Sequence, residues 1–248
     1  MARSLRFGAA LAAAALTLAA CGSSADDVVS ESPETTAPEA ADDVAADPVT
    51  TDAPAAPVDA PAVDPSCDEA IDTEVQTQSF DSAPPFCLDA DVTYSATVTT
   101  NAGTVTIDLD QAAAPETVNS FVFLARNNYF DNTVCHRVIQ AFVVQCGDPT
   151  ATGTGGPGYR FADELPAAGQ YEIGSIAMAN SGPDTNGSQF FIISGPNGAA
   201  LPPLYSLFGQ IPSADLGVVT EMNARGSLDN SGIPTEEVRI ESVEITES

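Results

Sequence analysis

The chain has no lysine, and its seven arginines face thirty-five aspartates and glutamates, a formal charge of −28. Nothing in that balance could neutralise a row of phosphates, which excludes a nucleic-acid partner. There is a single histidine, His136, in 248 residues. A Ser–His–Asp hydrolase or a histidine metal centre therefore has little to build on, and no cysteine pair shows zinc-ligand spacing with histidines. The expectation is no metal and no cofactor. Residues 22–66 lack aromatic and basic side chains altogether, and they carry eleven acids among Ala, Pro, Thr and Val. Such a segment cannot bury enough apolar area to offset chain entropy, so residues 21–66 read as a disordered acidic linker. Long apolar runs are absent as well. The small and apolar stretch Phe7–Ala20 has fourteen residues, short of the roughly 20 that span a bilayer as a helix.

That stretch follows Arg3 and Arg6 and ends in Leu18-Ala19-Ala20-Cys21. Its length and flanks suit a secretory signal peptide over residues 1–20. The boundary resembles a bacterial lipobox, which implies that Cys21 becomes the acylated amino terminus of the mature chain. The implied location is extracytoplasmic, lipid-anchored to the outer face of a bacterial cell membrane. Stable anchoring takes two or three acyl chains. A plain signal peptide cut elsewhere would leave Cys21 a bystander. The acidic linker would be repelled by anionic headgroups and hold the domain off the membrane, although acidity kept for solubility fits equally well.

Setting Cys21 aside leaves Cys67, Cys87, Cys135 and Cys146, an even number in an exported chain, with three possible pairings. Cys67 and Cys87 bracket a polar stretch, so residues 67–91 read as a disulfide-stapled extension. Cys135 and Cys146 flank a hairpin and could bridge it. If Arg137 and Gln145 are directly opposed, however, the two cysteines fall one residue out of step, and a bulge is expected.

Residues 92–248 carry the periodic signals of a folded domain. Val92–Thr99 and Thr104–Asp110 alternate as strands around Asn101-Ala102-Gly103. Pro115 and Glu116 open a helix with Val118, Phe121 and Leu124. Val134–Ile139 and Phe142–Cys146 form a second pair. Ile173–Met178, Phe190–Ile193, Tyr205–Ile211 and Val238–Ile245 supply further strands, and Ser213–Arg225 a second helix ended by Gly226. The fold class is mainly β: a closed eight-stranded antiparallel barrel capped by two α-helices.

Residues 178–191 read Met-Ala-Asn-Ser-Gly-Pro-Asp-Thr-Asn-Gly-Ser-Gln-Phe-Phe, a turn rich in fixed and positive φ between two apolar strands. The string closely resembles the central signature of the cyclophilins, the prolyl peptide isomerases. His136-Arg137-Val138-Ile139, two residues, then Phe142-Val143-Val144-Gln145 follows the order and spacing of the cyclophilin catalytic hairpin. Gly153-Thr-Gly155-Gly-Pro-Gly158 satisfies G-x-G-x-x-G literally. No strand ends directly before it and no helix opens after it, so it is not a dinucleotide site. It resembles the glycine loop beside the cyclophilin groove. Leu201-Pro-Pro-Leu-Tyr205 resembles the groove's far wall. Val143, Ala200 and Tyr205 stand where family members often have Met, Trp and His, and Val143 and Tyr205 keep the lining apolar.

The resemblance implies a cyclophilin-type peptidyl-prolyl cis-trans isomerase, a monomer whose partners are proline-containing polypeptides. It assigns Arg137 as the catalytic group and reads His136 as structural. Phe142, Val143, Phe191, Leu201 and Tyr205 are the implied proline pocket. Gln145 orients Arg137, while Ala179, Asn180 and Gln189 meet the flanking peptide. A non-catalytic proline-peptide-binding module of the cell envelope is the alternative. An intact Arg137, Phe142 and Gln145 set favours turnover, since pure binding would tolerate loss of the arginine.

Overall fold

Alternation decides the first hairpin. In β1 (Tyr94–Thr100) Tyr94, Ala96, Val98 and Thr100 are buried, and in β2 (Gly103–Leu109) Val105, Ile107 and Leu109 are buried. The antiparallel register Ala96↔Ile107 and Val98↔Val105 puts both sets on one face. A two-residue turn, Asn101-Ala102, joins them, and the Thr100 hydroxyl donates to Gly103 O at 2.6 Å.

These coordinates are a computed structural model, which describes residues 75–229 and 231–248. The leader 1–20, Cys21, the linker 21–66 and Cys67 lie outside the described residues. After β2 come α1 (Pro115–Arg126), β3 (Arg137–Ile139), β4 (Val143–Cys146), β5 (Ser175–Met178), β6 (Phe190–Ile193), α2 (Pro196–Ala199), β7 (Leu207–Gln210), α3 (Leu216–Ala224) and β8 (Ile240–Glu247). The strands form one sheet in the order β3-β4-β6-β5-β7-β2-β1-β8, and every ladder is antiparallel. The sheet curls until its outer edges meet. Cys135 N–H donates to Val238 O at 2.8 Å, Ile240 N–H donates to Thr133 O at 2.8 Å, and Val134 bridges Arg239.

That closure explains two boundaries that differ from expectation. Residues 134–135 and 238–239 pair with each other, so β3 begins at Arg137 and β8 at Ile240. It also corrects the disulfide geometry. Arg137 does oppose Gln145, yet Cys135 and Cys146 are joined, with their Cα atoms 4.0 Å apart. No bulge interrupts the ladder. The ladder ends at Arg137, and Cys135 has turned to pair with Val238. β7 is likewise shorter than expected because Tyr205 gives both backbone groups to Tyr171: its N–H donates to the Tyr171 hydroxyl at 3.1 Å, and its carbonyl accepts that hydroxyl at 2.7 Å. α3 starts at Leu216 rather than Ser213, since Asp215 N–H closes a turn on Pro212 O at 2.9 Å.

Four phenylalanines anchor the interior. Phe121 of α1 sits 5.1 Å from Phe130, 5.6 Å from Phe190 and 5.3 Å from Phe208, between ring centroids, within the range where aromatic pairs add to plain burial. α1 packs on β8, and α3 on β2, β3 and β4. α1 opens on Pro115, which has no N–H to satisfy, and Ala114 offers no side-chain cap. The cap comes from afar: Glu164 accepts from Glu116 N–H at 3.0 Å and Thr117 N–H at 2.8 Å. The segment before β1 is part of this body. Phe80 lies 4.8 Å from Phe123, its N–H donates to Pro157 O at 2.8 Å, and Leu88 is buried.

Candidate active site

Strands β4, β5 and β6 are buried on both faces, and alternation sorts their residues into two clusters. Val144, Cys146, Ile176, Met178, Phe190 and Ile192 join the main core. Val143, Ala177, Phe191 and Ile193 point the other way and form a second apolar cluster with Tyr171. Phe142, Ala179, Ala199, Leu201, Tyr205 and Leu207 pack against it while remaining partly open. The expected pocket residues Phe142, Val143, Phe191, Leu201 and Tyr205, together with Ala179 from the flanking-peptide set, thus share one patch on the outside of the sheet. The Phe191 and Tyr205 rings meet edge to face at 5.3 Å.

One cross-strand row runs through this face: Arg137↔Gln145↔Phe191↔Ala177↔Leu207. It carries a cation at its outer end and apolar side chains further in. Arg137 is half-buried, and neither of the two ion pairs among the described residues includes it. No carboxylate pairs with Arg137 among the described ion pairs. Its guanidinium carbon lies 5.5 Å from the Phe142 ring centroid, a cation–π distance. One Nη1–H donates to Gln145 Oε1 at a long 3.4 Å.

Gln145 is itself oriented. Its Nε2 donates to Gln189 Oε1 at 3.0 Å, and Gln189 Nε2 donates to Gly155 O at 2.9 Å. Because an amide has a donor end and an acceptor end, fixing Gln189 on a carbonyl makes each oxygen in the relay face toward Arg137. The amide of Gln189, expected to hold a flanking peptide, makes one hydrogen bond at each end inside the protein while lining the cavity described below. The same holds for Asn180, whose Nδ2 donates to Leu204 O at 2.9 Å and whose Oδ1 accepts from Gly182 N–H at 3.3 Å. Both side chains brace the groove walls in this structure.

Beside the apolar patch lies a polar cavity of about 810 Å³, lined by Gln145, Ala179, Asn180, Gln189 and the loop Gly153–Arg160. The glycine loop has an organiser that the sequence pattern left unread. Asp148 is fully buried, and its carboxylate accepts from Thr150 N–H, Thr150 Oγ1–H, Thr152 N–H, Gly153 N–H and Gly155 N–H at 2.6–3.1 Å. Burial works against ionisation, but the donors from Thr150, Gly155 and Gly153 hold its pKa below the ordinary value. A Cβ at Gly155 would fall 2.0 Å from Asp148 Oδ1. The backbone of this loop thus approaches Asp148 closely. His136 precedes Arg137 and is half-buried. Its Nδ1 is buried without a partner, and desolvation lowers its pKa despite the nearby Asp148 charge. Tyr171 is the clearest residue missed, a clamp on Tyr205 and a wall of the apolar cluster. Its one signal was an aromatic closing a Gly- and Pro-rich stretch.

The comparisons with known proteins agree with this geometry. A family model described as cyclophilin type peptidyl-prolyl cis-trans isomerase/CLD matches residues 95–245. A probable peptidyl-prolyl cis-trans isomerase B of Mycobacterium leprae is 42% identical over 171 residues, covering 62% of this chain and 57% of the relative. The chain thus spans little more than half of that protein. Peptidyl-prolyl cis-trans isomerase A of Mycobacterium tuberculosis H37Rv is 41% identical over 170 residues, covering 62% of this chain and 93% of the relative. A crystal structure of a Cryptosporidium parvum cyclophilin type isomerase, determined in the presence of the dipeptide Ala-Pro, aligns with TM-score 0.55 and 32% identity over 61% of this chain and 98% of that one. With a family model over more than half of its length and the eight-stranded antiparallel sheet in place, the chain belongs to the cyclophilin-type peptidyl-prolyl cis-trans isomerases.

Proposed function

We propose that this domain accelerates cis–trans isomerisation of X–Pro bonds in exported polypeptides, tethered by an acylated Cys21 outside the cytoplasmic membrane. The observation that carries the catalytic part is Arg137: a half-buried guanidinium outside both ion pairs described, aimed by Gln145 at the rim of an apolar patch.

Rotation about the X–Pro bond must break amide resonance, a barrier of about 18–20 kcal/mol, and takes roughly 10–100 s unaided. No bond needs to break, so the task is to bind the twisted amide better than either planar form. Twisting localises a lone pair on the prolyl nitrogen. A guanidinium N–H directed there stabilises the twisted state alone. Phe142, Val143, Phe191, Leu201 and Tyr205 are the surface for the ring, and Arg137 stands at its edge. An acceleration of 10⁴ requires only about 5.5 kcal/mol, within reach of a charge-assisted hydrogen bond in a partly dry groove together with a grip on the ring.

The test is a protease-free isomerisation assay on a short X–Pro peptide. Wild-type protein should show turnover, and Arg137→Ala should lose most of it with the fold intact. Retention of more than about a third of kcat/KM, a loss under ~0.7 kcal/mol, would remove Arg137 from this role. The location is supported by the Leu18-Ala19-Ala20-Cys21 boundary and the acidic linker. Mature wild-type protein should partition with membranes and Cys21→Ser should be released. A mature amino terminus beyond Cys21 would end the lipoprotein reading.

A further inference from the structure

We propose that Gly232 is a positioning residue for the Arg137 guanidinium, a backbone wall against which the arginine stem is held; the inference rests on Arg137 being the catalytic group. β3 is only three residues long and stands at the end of the strand order. Its outer edge is clipped by the segment that follows α3. Val138 N–H donates to Gly232 O at 2.8 Å, and Val138 O accepts from Ser227 N–H at 3.0 Å and from Ser227 Oγ at 3.3 Å. The clip is closed on itself, since Gly232 N–H donates to Ser227 Oγ at 3.0 Å.

Gly232 has φ +80°, a conformation that side chains other than glycine adopt at a cost. A Cβ placed there would lie 2.8 Å from Arg137 Cγ, 3.4 Å from Cδ and 3.5 Å from Nε. The bare backbone of Gly232 thus faces the arginine stem with no room for a side chain between them, from Cγ to the first guanidinium nitrogen. The side chain has three restraints. Phe142 lies by the guanidinium, Gln145 holds one N–H, and Gly232 blocks retreat of the stem. Arginine is long and rotamer-rich, and a donor displaced by 1 Å from a developing lone pair loses much of its effect. Removing the wall's clearance should therefore act on turnover and leave the proline surface, built on other strands, unaltered.

The experiment compares Gly232→Ala and Gly232→Asn with wild type, reading kcat and KM separately, together with the Arg137 Nε–H resonance in a ¹⁵N spectrum. Asn tolerates positive φ but adds the same Cβ. Both variants should lose at least ten-fold in kcat, keep KM within two-fold, and shift the Arg137 resonance. If Asn restores wild-type kcat, backbone conformation alone is at stake and the proposal is overturned; an unshifted resonance overturns it too. Should neither variant fold, Ser227→Ala loosens the clip without adding atoms. It should lower kcat at least three-fold and move the same resonance, and failure of both effects overturns the proposal. Arg137→Ala run alongside separates the two ideas: wild-type turnover there would retire the catalytic reading itself.

Discussion

Gln189, the residue before β6, reaches to the glycine loop, its amide donating to Gly155 O at 2.9 Å while its carbonyl accepts from Gln145 at 3.0 Å. The loop and the β3–β4 hairpin are thereby coupled through one side chain. Gln189→Leu keeps the size and removes both bonds, leaving Gln145 free to turn its nitrogen toward Arg137. The expected result is a fall in kcat/KM of about ten-fold, or ~1.4 kcal/mol, with the melting temperature lowered only slightly. Steady-state isomerisation and thermal melts of the same sample check both halves. An unchanged kcat/KM would show that Arg137 is aimed without the relay.

Glu164 should matter to stability and not to catalysis. It caps α1 from the far side of the long loop, with both carboxylate oxygens engaged. Burial, and then the Glu164 charge, push the Glu116 carboxyl above its ordinary pKa, so the capping charge also strains its neighbour. Glu164→Ala should cost about 1–2 kcal/mol of unfolding free energy, in the range of lost helix caps. For a domain of this size that is roughly 2–8 °C in Tm. A denaturation curve indistinguishable from wild type would show that water replaces the cap.

Acidification should weaken the domain in two stages. The His136 pKa is lowered from 6.5 by desolvation, so the unfolded chain takes up that proton first. Stability is full above about 6.5 and declines as pH drops below it. The Asp148 pKa lies below its ordinary 3.8. The stability Asp148 contributes is therefore complete above that value and is lost as pH falls through the folded-state pKa. Urea midpoints measured from pH 8 to pH 3 should show the first decline in wild type and its absence in His136→Gln. A flat profile through pH 6 would mean that His136 gains a partner when charged.

Much of this site was readable through the resemblance of residues 136–145, 178–191 and 201–205 to cyclophilin motifs, and strand alternation explains why these residues share a face. Once Arg137 and Gln145 are placed opposite each other, Phe191 follows on the next strand, and the pocket residues fall on that face. What stayed hidden came from contacts distant in sequence. The Glu164 cap joins residues 47 apart, and no local capping signal precedes Pro115. Tyr171 shortens β7 by taking the backbone of Tyr205. α2 is a four-residue turn, Pro-Asn-Gly-Ala, too short to show any period. The Cys135–Cys146 bridge looked one residue out of register because the ladder was taken to run past Arg137. The pairing of Cys135 with Val238, a hundred residues away, could not be seen from the hairpin itself.

The start of the folded body is a last point on which sequence and structure part. The periodic signals begin at Val92, and residues 67–91 read as an extension. Yet Phe80 packs among Phe123, Tyr129 and Tyr159, Leu88 is buried, and Cys87 N–H donates to Asn119 Oδ1 at 2.8 Å. Burying Phe and Leu side chains contributes about 1.5–3 kcal/mol each, against a total domain stability of only about 5–15 kcal/mol. A chain beginning at Ser66 should therefore be folded and as active on a short X–Pro peptide as the longer protein, because it keeps the contacts made by Phe80, Cys87 and Leu88. A chain beginning at Val92 should instead lose several kcal/mol and melt far lower, exposing the Phe123 and Tyr129 rings. Thermal melts and isomerisation rates of the two truncated chains decide the matter. Equal stability would show that residues 75–91 lie on the body without supporting it, and reduced activity of the Ser66 chain would show that the linker takes part in the groove.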